Sequence, residues 1–190
     1  MASPALFIDR DGTISEEIGY VNHPARYRVY PYAAEAVRLL NAAGWLAILV
    51  TNQAGVARGY FSEDLIGEVH AVLHAELARG GAKLDAIYYC PHHPTAGAPP
   101  YRQDCACRKP RPGLIHRAAA DFAIDLRRSW MVGDRFSDIE MARQAGLKSA
   151  FVLSGYGRGE WEYQRANLSG APDLVAENLL EVVRKVLNAE

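Results

Sequence analysis

Two aspartates close an apolar segment near the start of the chain, Leu6-Phe7-Ile8-Asp9-Arg10-Asp11-Gly12-Thr13. Carboxylates spaced i, i+2 meet at one site where a strand ends and the chain turns. Gly12 permits such a turn, and Thr13 can satisfy the backbone groups left loose beyond it. Two anions held at the carboxyl end of a buried strand repel each other unless a cation joins them. Mg²⁺ suits such an all-oxygen site. An Asx-turn capping the strand explains one aspartate but hardly two.

Three further segments carry groups of the same chemistry. The apolar run Leu46-Ala47-Ile48-Leu49-Val50 reads as a buried parallel strand and ends in Thr51-Asn52-Gln53. Arg108-Lys109-Pro110 precedes a helical pattern from Gly113 to Phe122, and the short strand Trp130-Met131-Val132 ends in Gly133-Asp134, with Asp138 four residues on. A hydroxyl, a lysine and further carboxylates at strand ends are what phosphoryl transfer needs, and open α/β sheets bring such groups together at the carboxyl ends of their strands. Singly each signal is weak; in this order they reinforce one another.

The set resembles the haloacid dehalogenase superfamily, whose motifs are Asp-x-Asp-Gly-Thr, a Thr or Ser at a strand end, a Lys, and Gly-Asp-x-x-x-Asp. The resemblance implies roles residue by residue. Asp9 would be the nucleophile and Asp11 the general acid and base. Asp9, Asp11 (through its backbone carbonyl) and Asp134 would hold Mg²⁺, while Thr51 and Lys109 would bind the transferring phosphoryl group. For Asp138 two readings stay open: a position at the helix start, within a Ser137-x-x-Glu140 capping box, or a partner behind the metal ligands. Arg135, beside the metal carboxylate, either meets substrate or is solvated.

All three cysteines fall in one segment, as Cys90-x-His92 and Cys105-x-Cys107. Cys₃His is a structural zinc composition, although the spacing is not the usual Cys-x-x-Cys. A disulfide is the rival reading, and it leaves one thiol over. His93 is the alternative ligand. The intervening loop, Pro94 to Asp104, has no apolar periodicity, and a metal clip would order it. Cys90-Pro91-His92-His93-Pro94 with Cys105-Ala106-Cys107-Arg108-Lys109-Pro110 resembles the zinc-bearing, histidinol-phosphatase-related branch of the superfamily. Gly19-Tyr20-Val21 and the run from Thr51 to Phe61 resemble the sugar bisphosphate phosphatases of that branch.

The elements that must position these groups alternate strand and helix. Helices are expected at Ala33 to Ala43, Ser62 to Ala78, Gly113 to Phe122, Ser137 to about Gly146 and Glu177 to Leu187, and further strands at Ala86 to Tyr89 and Ala150 to Leu153. The fold class is therefore α/β, a doubly wound parallel sheet. With 190 residues, 49% of them hydrophobic, the chain has the material for one core and one domain, residues 1–190. The gaps that hold cap domains in this superfamily are short, so the fold is expected to be capless, with substrate choice left to short loops. Candidates are Glu17, Ile18, Gly19 and Tyr20 on the flap after the first motif, and Asn52, Gln53, Ala54, Arg58 and Arg108 facing it.

A net charge of −1 leaves no electrostatic footprint for nucleic acid. No apolar stretch reaches membrane-spanning length, and the cysteine usage fits a reducing cytosol. His70 and His74 share a helix face without an evident third ligand, and ordinary packing is expected of them. The expected activity is Mg²⁺-dependent hydrolysis of a small sugar bisphosphate by a cytoplasmic monomer. Histidinol phosphate is the alternative substrate, and a zinc-stabilised module with a dead site is the non-enzymatic reading.

Overall fold

The structure, a computed structural model, describes residues 2–189. Six parallel strands form one sheet in the order β3-β2-β1-β4-β5-β6. They are β1 (Ala5–Ile8), β2 (Leu46–Asn52), β3 (Ala86–Cys90), β4 (Trp130–Gly133), β5 (Lys148–Val152) and β6 (Leu174–Ala176). Five helices connect successive strands, α1 (Ala33–Ala42), α2 (Glu63–Arg79), α3 (Gly113–Asp121), α4 (Phe136–Ala145) and α5 (Gly157–Gln164), and α6 (Leu179–Asn188) follows β6.

Strand alternation explains the layering. Leu6 and Ile8 of β1 face a core shared with α1, α2 and α6, while Ala5 and Phe7 face one shared with α3 and α4. Leu6, Phe7 and Ile8 are completely buried, each worth about 2 kcal/mol of transfer free energy. Being buried on both sides, β1 and β2 read as continuous apolar runs in the sequence. Phe7 pairs in register with Ile48 on one side and Met131 on the other, which puts β1 at the point where the strand order reverses. The carboxyl ends of β1, β2 and β4 therefore meet, and they carry Asp9, Thr51 and Asp134.

No cap domain occurs among the described residues. The segment between β1 and α1 is a flap tied back on itself, with Glu16 N donating to Arg28 O at 2.8 Å and Tyr30 N to Ile14 O at 3.0 Å.

Several boundaries differ from the sequence expectation. The capping box expected at Ser137 and Glu140 does not form. Asp138 accepts from Arg135 N at 3.1 Å, so α4 begins earlier, and Glu140 instead pairs with Arg143, Gln144 and Ser169. Helix α6 starts at Leu179 because Asn178 caps it, accepting from Glu181 N at 3.1 Å. Strand β6 and helix α5 had no legible pattern: the strand is three residues long, and α5 buries only Gly157 and Glu160.

Candidate active site

Lys109 is the hub of the carboxylate cluster. Its Nζ lies 2.5 Å from Asp9 Oδ1, 2.7 Å from Asp138 Oδ1 and 3.2 Å from Val50 O, and the residue is only 6% exposed. Burial works against its charge, but Asp138 and Asp9 outweigh that and hold the ammonium above its usual range. Its backbone is fixed by Asn52, whose side-chain amide donates to Lys109 O at 3.2 Å and accepts from Lys109 N at 3.0 Å. Asn52, expected on the substrate, thus already holds the lysine while also lining the cavity.

Carboxylate oxygens of Asp9, Asp134 and Asp138 lie within 4.8 Å of one another, all three residues being buried. Three carboxylates around one ammonium leave two negative charges uncompensated in a low-dielectric pocket. Burial pushes Asp9 up to about 7 against the pull of Lys109. It pushes Asp134 up to about 9, aided by the charges of Asp9 and Asp138. Asp134 Oδ2 accepts from Tyr156 N at 2.8 Å, while its buried Oδ1 has no hydrogen-bond partner. A divalent cation fits this deficit in charge and in hard oxygen donors.

Glycine makes room for that carboxylate. Gly12, at φ +83°, and Gly155, at φ +56°, both adopt the left-handed conformation, and a Cβ at either would collide with Asp134 Oδ2. Ser154 Oγ donates to Gly12 O at 2.7 Å and ties the two turns together.

Asp138 combines the two roles the sequence left open. Oδ2 caps α4, and Oδ1 faces Lys109 and the carboxylate cluster. Asp11 stands apart from the cluster. Arg10 Nε donates to Asp11 Oδ1 at 3.0 Å, and Arg10 Nη2 and Gln53 Nε2 donate to Oδ2 at 2.9 and 3.0 Å. Gln53 Nε2 also donates to Thr51 Oγ1 at 2.9 Å.

Asp9, Asp11, Glu17, Thr51, Asn52, Arg108, Lys109, Asp134 and Arg135 line one cavity of about 370 Å³. Ser137 lines it too, unanticipated from the sequence. Arg135 is oriented by Glu160 at 2.5 Å and stacks its guanidinium 4.6 Å from the Tyr156 ring centre. Glu17 accepts from Gly19 N at 2.5 Å, and burial raises its pKa.

The remaining candidates lie elsewhere. Ile18 and Gly19 border the adjoining depression with Tyr30 and Tyr156, and exposed Tyr20 packs edge-on against Tyr60, ring centres 4.6 Å apart. Ala54 is buried. Arg58 turns to His93 Nε2 at 2.9 Å and does not line the cavity. Arg10, Tyr156 and Glu160 are not among the candidates the sequence marks. The position of Arg10 between two motif aspartates was its only signal.

The second cluster hangs from the end of β3. Cys90, Cys105 and Cys107 are free thiols, so the disulfide reading does not hold. Their sulfurs are 3.2 to 3.4 Å apart, and His92 Nδ1 lies 3.3 Å from Cys107 Sγ and 3.7 Å from Cys90 Sγ. Four soft or borderline donors in this compact arrangement fit a tetrahedral structural zinc site. His93 is otherwise engaged, accepting through Nδ1 from Ala96 N at 2.9 Å.

A HAD-hydrolase-like family model matches residues 106–182. The D-glycero-beta-D-manno-heptose-1,7-bisphosphate 7-phosphatase of Pasteurella multocida is 39% identical over 177 residues, covering 90% of this chain and 96% of that protein. This chain is a haloacid-dehalogenase-like phosphatase. Identity to a second phosphatase of this family, the D-glycero-D-manno-heptose-1,7-bisphosphate 7-phosphatase of Thermosynechococcus vestitus, is 42% over 189 residues, covering 96% of this chain and 95% of the other. The crystal structure of the D,D-heptose 1,7-bisphosphate phosphatase from B. bronchiseptica, complexed with magnesium and phosphate, superposes with a TM-score of 0.85. It shares 34% identity and covers 98% of this chain and 99% of that one. A phosphatase of this family is a phosphoric monoester hydrolase.

Proposed function

We propose that the phosphatase removes the C7 phosphate of D-glycero-D-manno-heptose 1,7-bisphosphate through an aspartyl-phosphate on Asp9. The observation that carries this reading is that one cavity is lined by buried Lys109, which sits among the carboxylates, and by two further cations, Arg108 and Arg135. A bisphosphate needs cations for two phosphates. The names borne by full-length relatives point to the same substrate.

In the first step an Asp9 oxygen attacks phosphorus. The bond from phosphorus to the C7 oxygen breaks, its electron pair stays on that oxygen, and Asp11 supplies the proton. In the second step Asp11 takes a proton from water as the water oxygen attacks phosphorus. The bond to Asp9 then breaks, freeing phosphate and restoring the carboxylate. Lys109 and the Thr51 hydroxyl hold the phosphoryl oxygens, and Lys109 offsets the charge that gathers there.

Asp9, Asp134 and the backbone carbonyl of Asp11 would hold Mg²⁺, which when bound neutralises the repulsion between carboxylate nucleophile and phosphate. Cys90, His92, Cys105 and Cys107 would hold zinc, fixing the loop that delivers Arg108 and Lys109. The product would be a sugar 1-phosphate, a substrate suited to nucleotide activation.

The planar guanidinium of Arg108 would grip the distal C1 phosphate bidentately. Binding energy gained there, far from the reacting centre, helps position the scissile group. Arg108→Ala should therefore reduce kcat/KM for the bisphosphate at least about tenfold more than for a small monophosphate. Phosphorus NMR should show a product that keeps its anomeric phosphate. Equal losses on both substrates, a product phosphorylated at C7, or faster turnover of histidinol phosphate would overturn the assignment.

A further inference from the structure

Arg10 is 2% exposed, and the reaction steps above make no use of its charge. Burying a guanidinium costs several kcal/mol unless its donors are matched. Here the match is largely made by the next residue in the chain. Arg10 sets Nε and Nη2 against the two oxygens of Asp11 at 3.0 and 2.9 Å. Behind it, Nη1 lies 3.5 Å from His70 Nε2, and the guanidinium carbon sits 5.5 Å from the Tyr27 ring centre. Arg10 O is also the acceptor for the turn, taking Ile14 N and Ser15 N, each at 3.1 Å.

The pairing limits what Asp11 can do. A carboxylate oxygen has two acceptor positions. Oδ2 uses both, on Arg10 Nη2 and Gln53 Nε2, while Oδ1 uses one, on Arg10 Nε. A single acceptor position is left, on Oδ1, in a side chain that is 17% exposed and lines the cavity. Gln53 is 5% exposed and bonds Thr51 Oγ1 with the same nitrogen, tying this carboxyl group to the hydroxyl at the end of β2.

We propose that Arg10 and Gln53 are positioning residues that lock the Asp11 carboxyl group, so that its one open position, on Oδ1, carries the proton given to the leaving oxygen. The proposal rests on the reading of Asp11 as general acid. When the bond from phosphorus to the leaving oxygen breaks, the electron pair stays on that oxygen. The proton passes to it from Oδ1, and Asp11 is left as the carboxylate that the fork already holds. Rotation of an unheld carboxyl group would spread the proton over positions that cannot reach the ester oxygen.

The test compares kcat/KM for an alkyl phosphate, whose leaving alkoxide must be protonated, with 2,4-dinitrophenyl phosphate, whose phenolate leaves unaided. These values cover only the steps through departure of the leaving group, so slow hydrolysis of the aspartyl-phosphate does not mask the effect. Asp11→Asn supplies the reference signature. Arg10→Lys should lose about a hundredfold on the alkyl ester and Gln53→Met about tenfold. Both should stay within about threefold of the parent on the dinitrophenyl ester.

Equal losses on the two esters, or no loss on the alkyl ester, would overturn the clamp if Asp11→Asn still shows the selective loss. If Asp11→Asn itself loses equally on both, the general-acid reading fails and the clamp with it. Should Arg10→Lys show no cooperative melting, Gln53→Met decides on its own, being a substitution of similar size and shape.

Discussion

At the scale of single residues, the site is a contest between burial and charge. Asp9 combines the roles of proposed nucleophile and metal ligand, and its partner Lys109 came from a different stretch of the sequence, 100 positions away. Asp9→Asn keeps the shape and removes the nucleophilic charge. Turnover should fall below about a hundredth of the parent rate, read by phosphate release under conditions that exclude deamidation. His70 gives a pH signature in stability. Burial first, and the Arg10 charge second, lower it from 6.5 to about 3. Below pH 6.5 the unfolded chain takes up a proton here that the folded chain refuses. This contribution is intact above that pH and erodes as pH falls toward 3, by about 1.4 kcal/mol per unit. Urea midpoints measured from pH 7 to pH 4 should show a shallower acid limb in His70→Gln than in the parent. Parallel curves would remove His70 from the acid sensitivity.

At the scale of elements, apolar packing does not explain the order of the loop between β3 and α3. Its described part from Pro94 to Asp104 is mostly exposed. What holds it is the Cys₃His cluster, together with the Tyr89 and Tyr101 hydroxyls donating to the two Glu63 oxygens at 2.8 and 2.7 Å. We expect about one zinc per chain by elemental analysis of protein purified without added metal. Cys105→Ser should lower the melting temperature by several degrees, corresponding to a loss of a few kcal/mol, with little change in the Mg²⁺ concentration needed for half-maximal rate. A zinc-free, fully folded chain would refute the assignment. Lys109 is two residues from Cys107, so stripping the zinc should also displace the lysine and depress activity.

At the scale of the whole molecule, both helix layers grip the same sheet. Strands β1 and β2 are buried on each face, and Leu73 and Leu77 of α2 on one side and Leu114 and Ile115 of α3 on the other have almost no solvent contact. Neither layer keeps its core if the sheet is lost. Chain 1–190 should therefore unfold as one domain, in a single calorimetric transition whose van't Hoff and calorimetric enthalpies agree for the zinc-loaded protein. Two resolved transitions would mean that a layer folds separately. No described helix is long and apolar enough to cross a membrane. The absence of a cap leaves the cavity bounded by the flap and loops, with Glu17, Arg108 and Arg135 on its wall.

Strands β1 to β5, the chain order of the motifs and the donor residues that the fold gathers into two clusters could be read from the linear sequence, Asp138 among them only as one of two open readings. Buried parallel strands announce themselves as apolar runs, and ligands must have particular side chains. Long, periodic helices such as α1 and α2 were legible to within a residue or so. Short elements with little buried surface, β6 and α5, were not, because no period of apolar residues marks them. The tertiary structure alone decided which polar groups compete for which partners. It turned Gln53 and Arg10 toward Asp11, gave Asn52 to the backbone of Lys109, sent Arg58 to His93, and let Asp138 cap a helix with one oxygen while facing Lys109 with the other. Composition and spacing say that a residue can donate or accept. Packing fixes the few ångströms that select its partner, and hydrogen bonds and ion pairs depend on those ångströms far more steeply than apolar burial does.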